Sequence, residues 1–341
     1  MRAVIVGCGN IAAVHAAVLS QMEGVSLAAC ADIREERAEK LAQKYKAHAY
    51  TDYEEMLEKE KPDVLHICTP HYLHVPMAVR AFGQGIHVFM EKPPVISAEQ
   101  LETLKLAEAK SYAMLGFCYQ NRYNPCVKAA KRLLESGAAG EVSGARAFVT
   151  WNRGEKYYTD SGWRGKLTTE GGGVLINQSV HTMDLLCDFL GSPDYVEASM
   201  QNHHLKGMIE VEDMMEAYIR FQGKTALFYA TTAYCADVPP IVEVRCEKMT
   251  IRVEDPNLTC IYPDGTVKKM EFEPLTSLGK SYWGSGHPAC IQEFYDSIGK
   301  KQKFPLNLEA LEPSIRLMLG MYQSAREGHP AEIRHQMEER H

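Results

Sequence analysis

A glycine-rich turn near the N terminus constrains the fold of this chain more than any other feature. The turn, Gly7-Cys8-Gly9-Asn10-Ile11-Ala12, follows an apolar run and opens an amphipathic stretch. In a G-x-G-x-x-A turn the first glycine allows a tight bend, the second lets the backbone approach a pyrophosphate, and the small last residue lets helix pack closely on strand. The pattern predicts a dinucleotide site whose cofactor-binding residues are Gly7, Gly9, Asn10, Ile11 and Ala12.

An acidic residue stands where such a site would contact the adenosine ribose. Asp32 ends the second apolar run, about 20 residues after the turn, and its carboxylate can accept hydrogen bonds from the ribose hydroxyls. The same charge would repel a 2′-phosphate, so the sequence favours NAD. Arg34 and Arg37 keep NADP open, because a guanidinium can pair with a phosphate. We expect Asp32, Ile33 and Arg34 to contact the cofactor.

Short apolar runs alternate with amphipathic stretches through the first part of the chain, which predicts a doubly wound parallel sheet covered by helices on both faces. After residue 120 strand-like runs predominate, for example Glu212–Phe221 and Thr225–Tyr234, and several are joined by short turns. We therefore expect an α/β protein with a Rossmann domain at 1–120. Residues 121–341 are expected to form an α+β domain with a large, mostly antiparallel open sheet that binds substrate and mediates oligomerisation.

Composition excludes several classes of partner. The net charge of −7 over 341 residues leaves no basic footprint for nucleic acid or an anionic membrane surface. No secretory leader is recognised, and no apolar run is long enough to span a bilayer. The ten cysteines are scattered without metal-ligand spacing, and several, such as Cys30 and Cys68, lie in apolar strands. We interpret them as reduced core residues of a cytoplasmic protein.

A Glu-Lys-Pro turn supplies a candidate catalytic lysine. Glu91-Lys92-Pro93-Pro94 follows the apolar run Ile86–Met90. Ligands of open α/β sheets bind beyond the carboxyl ends of the strands, so Lys92 is expected where the nicotinamide would lie. Considered without other motifs, Lys92 could equally be a solvated surface lysine.

Several motifs together resemble the Gfo/Idh/MocA family of glucose–fructose oxidoreductase and inositol dehydrogenase-like enzymes. In order along the chain they are GCGNIA, ACAD, Cys68-Thr69-Pro70, His74, Gly85-Ile86-His87-Val88, Glu91-Lys92-Pro93, Gly171-Gly172-Gly173, His181, Asp184 and Gly286-His287. The resemblance implies a Rossmann fold, a nicotinamide cofactor, and a role for Lys92 at the reacting hydroxyl and the nicotinamide ribose. It places Cys68, Thr69, Pro70, His74, Glu91 and Lys92 at the cofactor. Arg122, which follows the last Rossmann strand, is expected to reach the same site.

A narrow polar stripe marks an otherwise apolar helix after the glycine triplet. At about 100° per residue, Asn177, His181, Asp184 and Asp188 fall in one sector of Val174–Leu190. We expect this polar stripe to line a cavity or meet partners, although a solvent-facing stripe is the alternative. The resembling family usually carries Asp at position 177, and an asparagine amide cannot accept a proton. Asn177 is therefore assigned to substrate binding or to holding Lys92. A metal site is not expected, since one histidine with one nearby carboxylate is a poor ligand set.

Aromatic and arginine residues concentrate just before the glycine triplet. Aromatic rings offer flat platforms for sugar rings, and guanidinium groups bind carboxylates or phosphates in a forked geometry. We expect this segment to contact a sugar substrate, including an anionic one, although an aromatic loop packed under the sheet is the alternative. The predicted substrate-binding residues are Lys92, Arg153, Tyr157, Trp163, Arg164, Asn177, His181 and Tyr282, and His287 is a weaker candidate.

These residues predict hydride transfer between a nicotinamide and a hydroxyl carbon of a sugar, sugar derivative or cyclitol. The expected catalytic residues are Lys92, His181 and Asn177. His181 is favoured as proton acceptor over Lys92, whose pKa would first have to be lowered. Two alternatives stay open: an NAD-dependent lyase or glycosidase that oxidises the sugar only transiently, and a non-catalytic NAD(H)-sensing regulator. The resemblance also implies a homodimer or homotetramer formed through the open sheet.

Overall fold

The computed structural model describes residues 1–273 and 284–333, and these residues form two compact units. The first contains residues 1–123 and 284–310, and the second contains 124–273 and 311–333. Residues 284–310, assigned to the second domain by the sequence analysis, thus pack with the first unit. Gly116 in the first unit makes room for this packing, because a Cβ at that position would lie only 2.5 Å from a ring carbon of Phe294. The expected domain boundary at residue 120 stays a prediction.

The first unit is built on a six-stranded parallel sheet in the order β3-β2-β1-β4-β5-β6, which confirms the predicted Rossmann fold. Most of its strands consist of buried apolar residues, as expected for a sheet covered on both faces. The elements are β1 Arg2–Val6, α1 Asn10–Leu19, β2 Ser26–Ala31, α2 Glu35–Tyr45, β3 His48–Tyr50, α3 Tyr53–Glu60, β4 Val64–Ile67, α4 His74–Phe82, β5 His87–Met90, α5 Ala98–Ala109 and β6 Leu115–Phe117.

The second unit is built on a nine-stranded sheet in the order β14-β13-β12-β11-β7-β10-β9-β8-β15. All neighbouring strands run antiparallel except β7 and β10, so the expected mostly antiparallel sheet is confirmed. The elements from here on are α6 Pro125–Glu135, β7 Val142–Thr150, α7 Glu155–Thr159, a π-helix at Val174–Ser179, α8 Val180–Leu190, β8 Tyr195–Gln201, β9 Met214–Phe221, β10 Lys224–Thr231, β11 Ile241–Cys246, β12 Thr250–Glu254, β13 Asn257–Ile261, β14 Val267–Glu271, α9 His287–Lys300, which belongs to the first unit, α10 Leu308–Glu327 and β15 Ala331–Glu332.

One face of this sheet is covered and the other is exposed. Helix α8 packs on the central strands and α6 on β12 and β13. Residues of β9 alternate between buried and exposed, and Tyr218 on β9 pairs in register with Leu227 on β10, both on the exposed face. Over 1–273 and 284–333, every helix is too short or too polar to cross a lipid bilayer.

Candidate active site

The glycine turn after β1 forms an open cradle at the carboxyl edge of the parallel sheet. Gly7 has a φ of 85°, and a Cβ there would lie 2.6 Å from the Cys68 carbonyl oxygen, so no larger residue fits. A Cβ on Gly9 would meet nothing within 4 Å. Helix α1 begins at the next residue, and no described side chain caps its first N–H groups. Those N–H groups and the open space at Gly9 suit a pyrophosphate.

The carboxylate of Asp32 lies next to this cradle. Its Oδ2 accepts a hydrogen bond from the Cys8 backbone N–H at 2.8 Å, and its Oδ1 accepts one from the Arg34 N–H at 2.9 Å. A carboxylate has about four lone pairs, so both oxygens retain capacity for hydroxyl donors. Ile33 is 91% exposed, which leaves an apolar side chain beside the carboxylate. The residues present therefore fit the adenosine end of a dinucleotide.

The loops after β4 and β5 adjoin the cradle, but two of the predicted cofactor residues are buried within them. His74 is inaccessible, with Nδ1 at 2.8 Å from the Pro93 carbonyl oxygen and Nε2 at 2.9 Å from that of Thr69. It joins the Cys68-Thr69-Pro70 loop to the Glu-Lys-Pro turn. Glu91 is also buried, whereas Lys92 is half-buried. His74 and Glu91 thus hold these loops in place from behind.

Glu91 ends a buried hydrogen-bonded chain that the sequence analysis missed. Its Oε1 is 3.0 Å from His15 Nε2, His15 Nδ1 is 2.9 Å from His66 Nδ1, and His66 Nε2 is 2.9 Å from the Tyr295 hydroxyl. Burial raises the pKa of Glu91, but the hydrogen bond and charge of His15, with His287 and Lys92 nearby, outweigh burial and hold it well below its usual range. Glu91 is therefore a permanent anion beside Lys92. The signal in the sequence that could have indicated this chain was the position of His15 and His66 within apolar runs.

The same region contains a set of potential metal ligands. His15, Glu91 and Cys118 bring ligand atoms within 4.8 Å of one another, all buried. His15 and Glu91 already bond to each other, and both belong to the chain that reaches Tyr295. We interpret the cluster as a hydrogen-bonded support for the Glu-Lys-Pro turn, and the absence of a metal stays a prediction.

In the second unit, a buried glutamate organises the start of the π-helix. Glu212 Oε2 accepts the Gly173 N–H at 2.8 Å, and Oε1 accepts the Leu175 N–H at 3.1 Å and the Tyr322 hydroxyl at 2.8 Å. A Cβ on Gly173 would lie 1.9 Å from the Glu212 carbonyl oxygen, so the third glycine of the triplet is required for this approach. The glycine triplet thus lets Glu212 hold the helix that carries Asn177.

The polar stripe divides into two halves with different partners. Asn177 lies in the π-helix, whereas His181 lies in the first turn of α8, and both side chains are half-buried. Asp184 is buried and accepts the Ser314 hydroxyl at 2.6 Å, and Asp188 forms an ion pair with Lys131 at 3.3 Å. The expectation that the stripe meets partners therefore holds for the aspartates, which anchor α8.

Arginines and aromatic rings from the segment before the glycine triplet form a continuous stack. The order is Trp151, Arg153, Tyr157, Arg164 and Trp163, with guanidinium carbons 4.4–5.4 Å from ring centroids. Arg153 is buried and binds both carboxylate oxygens of Asp237, at 2.8 and 2.9 Å. Its charge is therefore compensated within the protein. The segment predicted to bind substrate thus forms a stacked cluster around Tyr157, in which Trp151 and Arg153 are buried, and its contact with substrate stays a prediction.

Glu170, directly before the glycine triplet, is a second residue that the sequence analysis missed. It is inaccessible to solvent, its Oε2 accepts the Gly165 N–H at 2.5 Å, and its Oε1 accepts the Asn177 side-chain N–H at 2.5 Å. Burial raises the pKa of Glu170 to about 7. Tyr157 joins the group, because its hydroxyl oxygen accepts N–H groups of Asn177 at 3.3 Å and Gln178 at 3.0 Å. Position 177 lacks a carboxylate, but one lies a single hydrogen bond away.

Two of the remaining predicted residues, Arg122 and His287, belong to the first unit. Arg122 is half-buried in a short 3-10 turn after β6, and His287 is buried at the start of α9, where burial lowers its pKa to about 4. Tyr282 lies outside the described residues. Lys92 belongs to the first unit and His181 to the second, so their action on one hydroxyl stays a prediction.

Comparison with known proteins identifies the family. Residues 1–119 match the oxidoreductase family with an NAD-binding Rossmann fold, and residues 127–252 match the GFO/IDH/MocA C-terminal domain. Together the two matches cover most of the chain. The protein belongs to the Gfo/Idh/MocA family of oxidoreductases, as the sequence motifs predicted.

Individual relatives differ in substrate. The chain is 31% identical over 198 residues to the D-glucoside 3-dehydrogenase of Escherichia coli, covering 57% of this chain and 55% of that one. It is 26% identical over 228 residues to the glucose-6-phosphate 3-dehydrogenase of Bacillus subtilis, covering 64% and 63%. It thus spans less than two thirds of the length of these curated relatives. The WlbA dehydrogenase of Bordetella pertussis, solved with NADH and UDP-GlcNAcA, is 24% identical with a TM-score of 0.86 over 98% of this chain and 99% of that one, which shows a shared fold.

Proposed function

We propose that this protein is an NAD-dependent dehydrogenase that oxidises a hydroxyl of a sugar or sugar derivative. One observation carries the proposal: the Gly7–Ala12 cradle and Lys92 follow strands β1 and β5 and so share the carboxyl edge of one parallel sheet. A dinucleotide bound at this edge supplies the hydride acceptor. The relatives' activities on glucosides and sugar phosphates support a sugar as the substrate.

In the proposed reaction Lys92 and His181 act on the substrate hydroxyl. The ammonium of Lys92 stabilises the developing alkoxide, and its charge is balanced by the permanently ionised Glu91. A ring nitrogen of His181 takes the hydroxyl proton as the carbonyl forms. Asn177 positions the hydroxyl, since an amide can accept a hydrogen bond but not a proton.

The test is a set of matched variants assayed with NAD and a panel of sugars, sugar acids and inositols. We expect Lys92→Met and His181→Ala each to lower kcat by about 100- to 10,000-fold. Lys110→Met, at an exposed lysine at the end of α5, should retain full activity. Near-normal turnover of both variants would refute the assignment. Product formation without net change in nicotinamide absorbance would point instead to a lyase or glycosidase.

We propose NAD as the preferred cofactor, because Asp32 places a negative charge where a 2′-phosphate would bind. In Asp32→Ser, we expect the preference for NAD over NADP, measured as the ratio of the two kcat/KM values, to fall about tenfold. The variant loses hydrogen bonds from the ribose hydroxyls to a charged carboxylate, each worth about 1.5 to 3 kcal/mol. An unchanged ratio would show that Asp32 does not contact the ribose.

We propose further that the substrate carries a carboxylate or phosphate that binds Arg164. The guanidinium of Arg153 is compensated by Asp237, whereas that of Arg164 stacks at 4.4 Å over Tyr157, and a guanidinium can bind a carboxylate or phosphate through two of its N–H groups. Arg164→Gln should raise KM for an acidic sugar by about 10-fold or more without changing KM for a neutral one. The exposed Arg132→Gln serves as control. Equal effects on both sugars would contradict the assignment.

We also propose a cytoplasmic homo-oligomer. Cys30 and Cys68 are free and buried, in keeping with a reducing compartment. Exposed Tyr218 and Leu227 lie paired on the uncovered face of the second sheet and suit a contact between copies. The molar mass measured by light scattering should correspond to a dimer or tetramer. Leu227→Lys should lower that molar mass, because it places a charge in the proposed contact.

A further inference from the structure

Position 177 raises a question, because it carries an amide where the resembling family usually carries a carboxylate. Asn177 cannot gain or lose a proton, yet its side chain lies between a carboxyl group and a phenol, each of which can. Its side-chain nitrogen donates to Glu170 Oε1 at 2.5 Å and to the Tyr157 hydroxyl at 3.3 Å. Both hydrogens of the amide nitrogen are thereby used on one side of the residue.

We propose that Glu170 is the ionisable group that position 177 lacks, and that its proton decides which end of the Asn177 amide is turned towards the substrate. The inference rests on the proposed function and deepens it. Glu170 does not touch the substrate, so it is a positioning residue that acts through Asn177.

The hydrogen bonds of Glu170 require two different arrangements. Both of its oxygens accept from N–H donors, Gly165 N on Oε2 and Asn177 Nδ2 on Oε1, an arrangement that favours the carboxylate because the carboxylate is acceptor-only. A proton on Oε1 would face the amide hydrogens of Asn177. The amide must then rotate so that Oδ1 accepts the Glu170 hydroxyl and Nδ2 takes the place of Oδ1.

The two arrangements differ in what Asn177 can do for a reacting hydroxyl. With Glu170 ionised, Oδ1 points away from Glu170 and can accept a hydrogen bond from a substrate hydroxyl that is about to lose its proton. With Glu170 protonated, a donor occupies that place and competes with the hydroxyl proton. Oxidation should therefore require the carboxylate.

The surroundings set the titration of Glu170 near neutrality. Burial is the largest influence and raises its pKa, the Gly165 and Asn177 hydrogen bonds and the Arg164 charge lower it, and the buried Glu212 raises it, giving about 7. Tyr157, Tyr158 and Tyr322 also face Glu170, and burial raises their pKa values, so they remain neutral phenols at neutral pH. Burial raises the pKa of Glu212 as well. The Glu170→Gln variant is therefore needed to assign a titration of this cluster to Glu170.

The first experiment reads the amide directly and needs no activity. The protein is labelled with 15N-asparagine, and the Asn177 side-chain signal, assigned by its absence in Asn177→Asp, is followed from about pH 5.5 to 8.5. We expect a chemical-shift change with a midpoint near 7, and no such change in Glu170→Gln. Glu155→Gln, an exposed control in α7, should titrate as wild type. A flat wild-type signal, or a titration that survives in Glu170→Gln, overturns the inference.

The second experiment measures kcat against pH with a sugar that the protein oxidises. We expect kcat to fall with decreasing pH more steeply in the wild type than in Glu170→Gln, because both Glu170 and the base His181 must be deprotonated in the wild type and only His181 in the variant. Acidic limbs of equal slope and midpoint in the two proteins overturn the inference. If the wild type oxidises no sugar, the proposed function fails, and the asparagine signal still decides whether Glu170 controls Asn177.

Discussion

Each unit contains a buried glutamate at the centre of a polar cluster, and the surroundings shift the pKa values of the two carboxyl groups in opposite directions. Glu91 accepts a hydrogen bond from His15 and lies near the charge of Lys92, and together they outweigh burial and hold its pKa well below the usual range. Glu170 accepts hydrogen bonds from the N–H groups of Gly165 and Asn177, and burial prevails over them, so its pKa rises to about 7. Burial alone does not determine the charge of a carboxyl group, because the sign of the shift depends on whether its partners are cationic or neutral.

The largest effect that would separate the two carboxyls is on stability. Glu91→Gln should lower the free energy of unfolding by about 3 to 5 kcal/mol, because it removes the buried negative charge beside His15 and Lys92, although the amide oxygen can still accept a hydrogen bond from His15. Urea unfolding at neutral pH measures this loss. The control is Glu102→Gln at an exposed position of α5, expected within about 0.5 kcal/mol of wild type. A loss of that small size for Glu91→Gln would contradict the comparison.

The next effect is the pH dependence of stability. The folded-state pKa of Glu170, about 7, exceeds its unfolded value of 4.5. Glu170 therefore stabilises the fold fully below about pH 4.5 and loses that contribution as pH rises through 7. Relative to Glu170→Gln, wild type should lose about 2 kcal/mol between roughly pH 5 and 8.

Glu91 should behave in the opposite sense. Its folded-state pKa is depressed, so its stabilisation is complete above the unfolded value and is lost only as pH falls below it. The stability difference between wild type and Glu91→Gln should therefore stay constant over the same pH range. The comparison would be wrong if the stability difference between wild type and Glu91→Gln changed with pH, or if that between wild type and Glu170→Gln did not.

The smallest effect concerns Arg164, a cation whose charge acts on Glu170. Arg164 lowers the pKa of Glu170, but its guanidinium is partly solvated, so its influence is screened. Arg164→Met should move the midpoint of the Asn177 signal upward by a fraction of a pH unit. A downward shift would mean that Arg164 acts on Glu170 through packing rather than charge.

Much of the first unit followed from local sequence. The glycine turn, the apolar strands and Asp32 are short-range patterns, and the structure places Gly7, Gly9 and Asp32 around one cradle as expected. The family was recognisable for the same reason, because its motifs are short and occur in order. His74 and Glu91 carried no mark of being buried, since nothing in a single chain position reports what packs behind it.

The second unit shows what tertiary structure alone decided. A periodic stripe identified Asn177, His181, Asp184 and Asp188, but only the fold brought Ser314 to Asp184 and Lys131 to Asp188. Glu170 lies seven positions before Asn177, and the π-helix and the glycine triplet bring the two side chains into contact. The sequence by itself determined which backbone turns and apolar faces could form, because those are local preferences. The charge state of Glu170 depends on its burial and on Glu212, which lies far along the chain, and both influences exist only in the folded protein.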